Sequence, residues 1–214
     1  MSATMHVCCA ARRRWLILAT LASLVSPASA QADDALVRLF SDLGARRERH
    51  ARFAERKFST LLKVPIESSG TLIFRAPDIL EKLTSEPQRE SVRIEGNTVT
   101  YEGAPVRGRT QRRTFALSEA PLLAALIESL RATLAGDLPA LRRHYQVSWI
   151  APQTAQEWQI SLVPRDRSLL EAVSRVVLRG AGSELGAVEI VEANGDLTLL
   201  NITPLAASAA PPKK

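Results

Sequence analysis

Cysteine is nearly absent: the 214 residues hold two, Cys8 and Cys9. Both fall in a segment that reads as removable, so the remaining chain has no thiol for a disulfide, a thiolate zinc site or a cysteine nucleophile. Histidine is equally scarce. Beyond residue 30 only His50 and His144 remain, each among arginines and without a second histidine at metal-ligand spacing or an Asp-x-His neighbour, so no metal site and no cofactor is expected. Aromatics make up 5% of the chain and do not interleave with the basic run Arg46 to Arg52, which argues against stacking on nucleic acid. A long hydrophobic run is missing too. The apolar stretch Trp15 to Val25 is half the roughly 20 residues that a membrane span requires.

That short stretch follows Arg12, Arg13 and Arg14 and precedes Ala28-Ser29-Ala30, the pattern of a secretory signal cleaved before Gln31. The arginines resemble a twin-arginine signal only faintly, and a lipid anchor would place cysteine where Gln31 stands. The expectation is therefore three regions: a signal peptide at 1–30, one domain at 31–205 and a loose Ala-Pro-Lys tail at 206–214. The product is expected to be soluble and periplasmic. Charge points to no polyanionic partner: 28 basic and 22 acidic side chains give +6, but three of the arginines lie in the signal, leaving +3.

What is present is a 46% apolar chain with two kinds of periodicity. Asp33 to about Arg49 repeats Leu36, Leu39, Phe40 and Leu43 at helical spacing and ends in basic residues that suit a helix C-terminus. From Phe53 the period falls to two, and strands are predicted at Phe53–Phe58, Ile66–Phe74, Ile79–Thr84, Ser91–Ile94, Thr98–Tyr101 and Arg109–Ala116. A second helix is predicted from Ser118 as N-cap, with Leu123, Leu126, Ile127, Leu130 and Leu134 on one face and Gly136 as its stop. Asp137 caps a short helix to Arg143, period two returns at Tyr145 to Trp149 and Trp158 to Leu162, and a helical turn follows near Ser168 to Val173. Val188–Glu192 and Leu197–Thr203 form a hairpin around Asn194-Gly195, the preferred pair for a two-residue turn.

About ten short strands with tight turns and two substantial helices imply an α+β fold built on an antiparallel sheet. Curling that sheet around a helix disposes of its edges and its second face. The fold class is accordingly an incomplete, strongly curved antiparallel β-barrel with helices covering the opening. The leucine-rich helix at 119–134 is the better plug candidate.

Catalytic motifs do not emerge. There is no G-x-S-x-G elbow, and Ser68-Ser69-Gly70 sits in a strand-like segment. Gly180-Ala181-Gly182 lacks the lysine and following helix of a phosphate loop and reads as a hairpin. A binding protein is favoured over an enzyme. A hydrolase of envelope esters would need a serine near His144 or His50.

Phe53-Ala54-Glu55-Arg56-Lys57, then Gly70-Thr71-Leu72-Ile73-Phe74-Arg75-Ala76-Pro77, then Ser91 through Val99 with its Glu95-Gly96-Asn97 turn, occur in an order that resembles the LolA-type outer-membrane lipoprotein carriers, in a divergent branch. The resemblance spans about residues 33 to 204. It implies an apolar cavity that takes up acyl chains of a lipoprotein or free lipid. It also implies an inner-membrane transporter as donor, an outer-membrane acceptor, no nucleic-acid partner and a monomer. In such carriers an arginine immediately before the strand-ending proline helps to hold the lid closed; here that position is Ala76, and Arg75 faces the other side of the strand. The residues expected to line the cavity are Leu72, Phe74, Leu83, Val92, Ile94, Tyr101, Leu123, Leu126, Ile127, Leu130, Trp149, Trp158 and Ile160. The alternative is a periplasmic protein-binding adaptor or assembly factor for an envelope export system, holding a partner segment by strand addition.

Overall fold

The structure, a computed structural model, describes residues 27–106, 109–150, 154 and 156–205. The proposed signal and tail lie outside these residues, apart from residues 27–30. Helix α1 (Pro27–Gly44) leads into strand β1 (Glu48–Phe58), followed by β2 (Ile66–Arg75), β3 (Ile79–Glu86), β4 (Glu90–Glu95), β5 (Thr98–Val106) and β6 (Arg109–Ala116). A 3-10 turn (Leu117–Glu119), α2 (Pro121–Leu134) and α3 (Leu138–His144) come next. The chain returns to the sheet as β7 (Tyr145–Ile150) and β8 (Glu157–Pro164), makes one turn of helix, α4 (Arg167–Leu170), and ends in β9 (Val173–Ala181), β10 (Glu184–Glu192) and β11 (Leu197–Pro204).

All eleven strands form one antiparallel sheet in the order β6-β5-β4-β3-β2-β1-β11-β10-β9-β8-β7. The two halves of the chain meet where β1 pairs with β11, and β6 and β7 remain unpaired to one another, so the curved sheet stays open. Edge strand β6 carries Arg112 and Arg113, charges that discourage pairing with another chain. The α+β, incomplete-barrel reading stands, with eleven strands in place of about ten.

Cross-strand register puts the apolar positions on one face. Phe74, Leu80, Ile94, Val99 and Phe115 stand opposite one another across β2 to β6. Leu200, Val188, Leu178, Ile160 and Trp149 do the same across β11 to β7, and Ile190, Val176, Leu162 and Val147 form the row beside them. Leu36, Leu39, Phe40 and Leu43 of α1, Leu134 of α2 and Leu138 and Leu141 of α3 complete this core, all of them buried.

Several sequence expectations differ from the structure. The first helix stops at Gly44, and Glu48 already begins β1, so the basic residues after it belong to a turn and a strand. Gly44 and Gly136 pack backbone to backbone: a Cβ on Gly136 would meet the Gly44 Cα at 2.8 Å, and Gly136 itself has φ +75°. Ser118 caps nothing. Its N–H donates to Asn97 Oδ1 at 3.1 Å, and α2 starts instead with Pro121 at its first position, where the missing N–H costs nothing. The deeper plug is α1, whose Leu36, Leu39, Phe40 and Leu43 are at most 6% exposed, whereas Leu123, Leu126, Ile127 and Leu130 of α2 are only half-buried. Asp137 accepts from the Ala140 N–H at 2.8 Å as the expected cap of α3, but the β10–β11 loop has three residues, Ala193 to Gly195, in place of the two-residue Asn194-Gly195 turn: Glu192 pairs with Asp196, its carbonyl accepts from the Gly195 N–H at 3.1 Å, and Gly195 takes φ +90°.

Candidate functional site

The inner face of the sheet has a floor and a rim. Four of the expected lining residues, Phe74, Ile94, Trp158 and Ile160, lie in the floor, fully buried beneath the helices. Val92, Trp149, Leu123, Leu126, Ile127 and Leu130 are partly buried against that core, with Phe115 and Val147 beside them. Leu72 and Tyr101 share their row with Val92 and are likewise half-exposed. Leu83 is different. It pairs with Thr71 and Ser91, on the outer face, because a shift of one residue from Lys82 reverses the side chain. It is 39% exposed and cannot line the interior.

Polar groups also interrupt the inner face. Lys82 stands in the row between Leu72 and Val92, pairs with Glu55 of β1 and places its ammonium 4.9 Å from the centre of the Phe53 ring. Beyond Val92 the Tyr101 hydroxyl donates to Glu90 at 3.2 Å, and withdrawal from water together with that carboxylate raises the phenol above its usual pKa. The inner face is therefore an apolar floor bordered on one side by a polar strip, in which Glu55 neutralises Lys82 and Glu90 holds the Tyr101 hydroxyl.

The cover is fastened by arginines. Arg131 of α2 is 7% exposed and donates from Nη2 to the Asp78 carbonyl at 2.6 Å and the Gly96 carbonyl at 2.9 Å, while Nη1 pairs with the exposed Glu128 at 2.9 Å. One guanidinium thus ties α2 to the β2–β3 turn and the β4–β5 turn; its buried Nε has no partner. Arg49 points inward from β1, donates to the Leu43 carbonyl at the end of α1 and, at 2.8 Å, to the Ser183 carbonyl, with Glu184 at 3.5 Å. It satisfies a carbonyl that a helix end would otherwise leave unpaired. Arg75, by contrast, lies on the outer face, bonded to Glu48 at 3.0 Å and Glu81 at 3.1 Å, and reaches no helix.

The sequence model of the family described as outer membrane lipoprotein carrier protein LolA-like matches residues 25–213. The chain belongs to that family. Among solved structures, this LolA-like protein is similar to a LolA superfamily protein from Nitrosomonas europaea, with 10% identity, a TM-score of 0.41 and coverage of 83% of this chain and 95% of that one. It is also similar to MucB (14% identity, TM-score 0.47, 85% of this chain and 60% of that one) and to an outer membrane lipoprotein-sorting protein domain from Vibrio parahaemolyticus (9%, 0.34, 81% and 94%). No curated protein sequence matches the chain.

In this form of the LolA-like protein the helices occupy the concavity. A cleft of about 310 Å³ lies where α2, α3 and the β2–β3 turn meet, with Asp78, Arg131, Leu141 and Tyr145 in its wall. A second, of about 500 Å³, lies around Trp158, Arg179, Gly180 and Gly186. Apart from Trp158, neither is lined by the expected set. Leu123, Leu126 and Leu130 of α2 are half-buried, while Arg131 and Leu134 toward its end are buried. Among the described residues no three His, Cys, Asp or Glu side chains converge on a metal position, and no helix is long and apolar enough to cross a membrane.

Proposed function

We propose that this LolA-like protein is a periplasmic carrier that takes acyl chains of a lipoprotein or lipid onto its inner face and passes them from the inner to the outer membrane, acting as a monomer between a membrane donor and acceptor. The observation that carries the reading is a loose seam around the core, to which Leu123, Leu126, Ile127 and Leu130 of α2 and Val92, Phe115, Val147 and Trp149 of the sheet each contribute an apolar side chain, none of them fully buried. A seam of this kind can exchange its own contacts for those of a hydrocarbon chain.

The energetics permit it. Releasing Arg131 from two carbonyls costs about 2–4 kcal/mol, taking roughly 1.5–3 kcal/mol for each charge-assisted bond less the gain from rehydrating the guanidinium. Ten methylenes leaving water return about 8 kcal/mol. One chain is enough to hold the cover open, without catalytic groups and with modest selectivity. Removal of residues 1–30 is compatible with this design, because cleavage before Gln31 leaves Leu36, Leu39, Phe40 and Leu43 in place on α1.

Solvent extraction of the purified protein, combined with displacement of a bound apolar fluorophore by fatty acids and phospholipids, tests the proposal. Co-purified lipid and competitive displacement are expected. Absence of both, with one stoichiometric protein partner recovered instead, would replace the carrier with an adaptor.

A further inference from the structure

Half of the large hydrophobic residues exposed on the described surface crowd into one hairpin tip: Leu61 is 91% exposed, Val64 72%, Ile66 53% and Leu62 48%. The tip projects. Strands β1 and β2 remain paired as far as Lys57 and Ile66, whereas β3 leaves β2 at Ser69, so residues 58–68 overhang that side of the sheet by about 10 Å at 3.3 Å per residue. It is also held. The Thr60 N–H donates to Asp196 Oδ1 at 2.9 Å, the Leu62 N–H to the Ser59 carbonyl at 3.0 Å, and Asp196 is itself fixed through its N–H to Asn194 Oδ1 at 2.9 Å. A tip anchored at its base and greasy at its end is a presented surface, since a loop serving only as a connection has no use for four aliphatic side chains in water.

We propose that the Leu61–Val64 tip docks the protein on a lipid bilayer by inserting these aliphatic side chains among the acyl chains at the membrane interface. Three observations favour a bilayer over a protein partner. The apex from Leu61 to Ile66 contains Lys63 and no carboxylate, and Glu67 at its base is paired with Arg56, which suits anionic headgroups. Its few side chains fall far short of the roughly 800 Å² per partner in a standard protein interface. Ile66 lies on the same face of β2 as Leu72 and Phe74, so the inserted tip is continuous with the inner face. The inference goes beyond the carrier reading and does not depend on it: docking requires only the tip.

The test is co-sedimentation of the protein, as purified from cells that export it, with vesicles of phosphatidylethanolamine and phosphatidylglycerol and with vesicles of phosphatidylcholine alone. Leu61→Ser/Val64→Ser and Leu61→Asp/Val64→Asp variants are run beside it; any affinity of the N-terminal segment is common to all three. Binding is expected to be stronger to the anionic vesicles and to fall at least about tenfold in both variants, with far-UV spectra and melting temperature unchanged. Binding of fluorescent fatty acid, read on the same samples without vesicles, is expected to be equal in all three, which separates failure of the tip from failure of acyl uptake. No vesicle binding by the unaltered protein, or equal binding by the variants, would overturn the proposal and leave the tip as a protein contact.

Discussion

Replacing Arg131 by methionine keeps the length of the side chain while removing its donors. The Asp78 and Gly96 carbonyls each lose a charge-assisted bond, about 1.5–3 kcal/mol gross. Against this, methionine escapes the cost of keeping a guanidinium out of water, and Glu128, already exposed, is not stranded. The net loss should be about 2–4 kcal/mol and should fall on α2 rather than on the floor, which α1 and α3 still cover. That corresponds to a rise of roughly 30- to 700-fold in the population with α2 released. Two readouts are needed. Hydrogen exchange should accelerate for the α2 amides and stay slow in β8 and β9, and an apolar fluorophore should bind tighter, because the cost of opening has been prepaid. Arg131→Lys, which retains the charge but cannot fork between two carbonyls, should lie between the two. Unchanged or weaker probe binding by a folded Arg131→Met protein would refute the latch.

Four further outcomes follow from the geometry. Ile127→Asp and Val92→Asp, both at the half-buried seam, should reduce fatty-acid affinity at least about tenfold through loss of apolar contact, whereas Leu83→Asp on the outer face should leave it unchanged; titration of a fluorescent fatty acid distinguishes them. Phe40→Ala should cost about 3–5 kcal/mol in denaturant unfolding, because the ring is 1% exposed and leaves a cavity between α1 and the floor. Gly136→Ala should lower stability by more than about 2 kcal/mol in the same assay, since its φ of +75° and the adjacent Phe40 and Gly44 backbone both exclude a Cβ. Asp196 is held below the usual carboxylate range, chiefly by the Thr60 N–H; its stabilisation is therefore complete above about pH 4 and lost as pH falls through its folded pKa. Acid titration of the unfolding midpoint should show that loss, and Asp196→Asn should flatten it.

The parts of the fold that were legible in the sequence are those where a local signal and the tertiary demand agree. Asn194-Gly195 marks the place of the β10–β11 turn because Gly195 can adopt the φ of +90° that closes it, and Asp137 caps because its carboxylate meets the free Ala140 N–H. The unread parts are those where tertiary contacts override the pattern. Strand β9 escapes the alternation rule because Val176, Val177 and Leu178 are all buried, Val177 lying on the outer face between Ser161 and Glu189 while Arg175 and Arg179 pair with Glu189 around it. The Arg46–Arg52 run has the composition of a helix end, yet Arg49 is drawn into a strand to satisfy the very carbonyl at which the helix stops.

The candidate site was readable to a similar degree. Period two sorted Leu72 from Ile73 and Val92 from Arg93, but the phase of β3 could not be set from Leu80 and Leu83, three apart and thus on opposite faces. Lys82, on the inner face, is stabilised there by Glu55, a partner two strands away that no local pattern reveals. Arg131 presents the same difficulty. No local pattern marks it, and only the approach of two turns, at Asp78 and Gly96, turns it into a fastening.

The most direct test of acyl uptake on the inner face is photolabelling with a fatty acid that carries a diazirine near its methyl end, followed by peptide mapping. The account predicts labels in the peptides containing Val92, Leu126 to Leu130 and Trp149, suppressed by excess unlabelled fatty acid. Labels confined to outer-face positions such as Thr71, Leu83 and Ser91, or none that fatty acid suppresses, would contradict it.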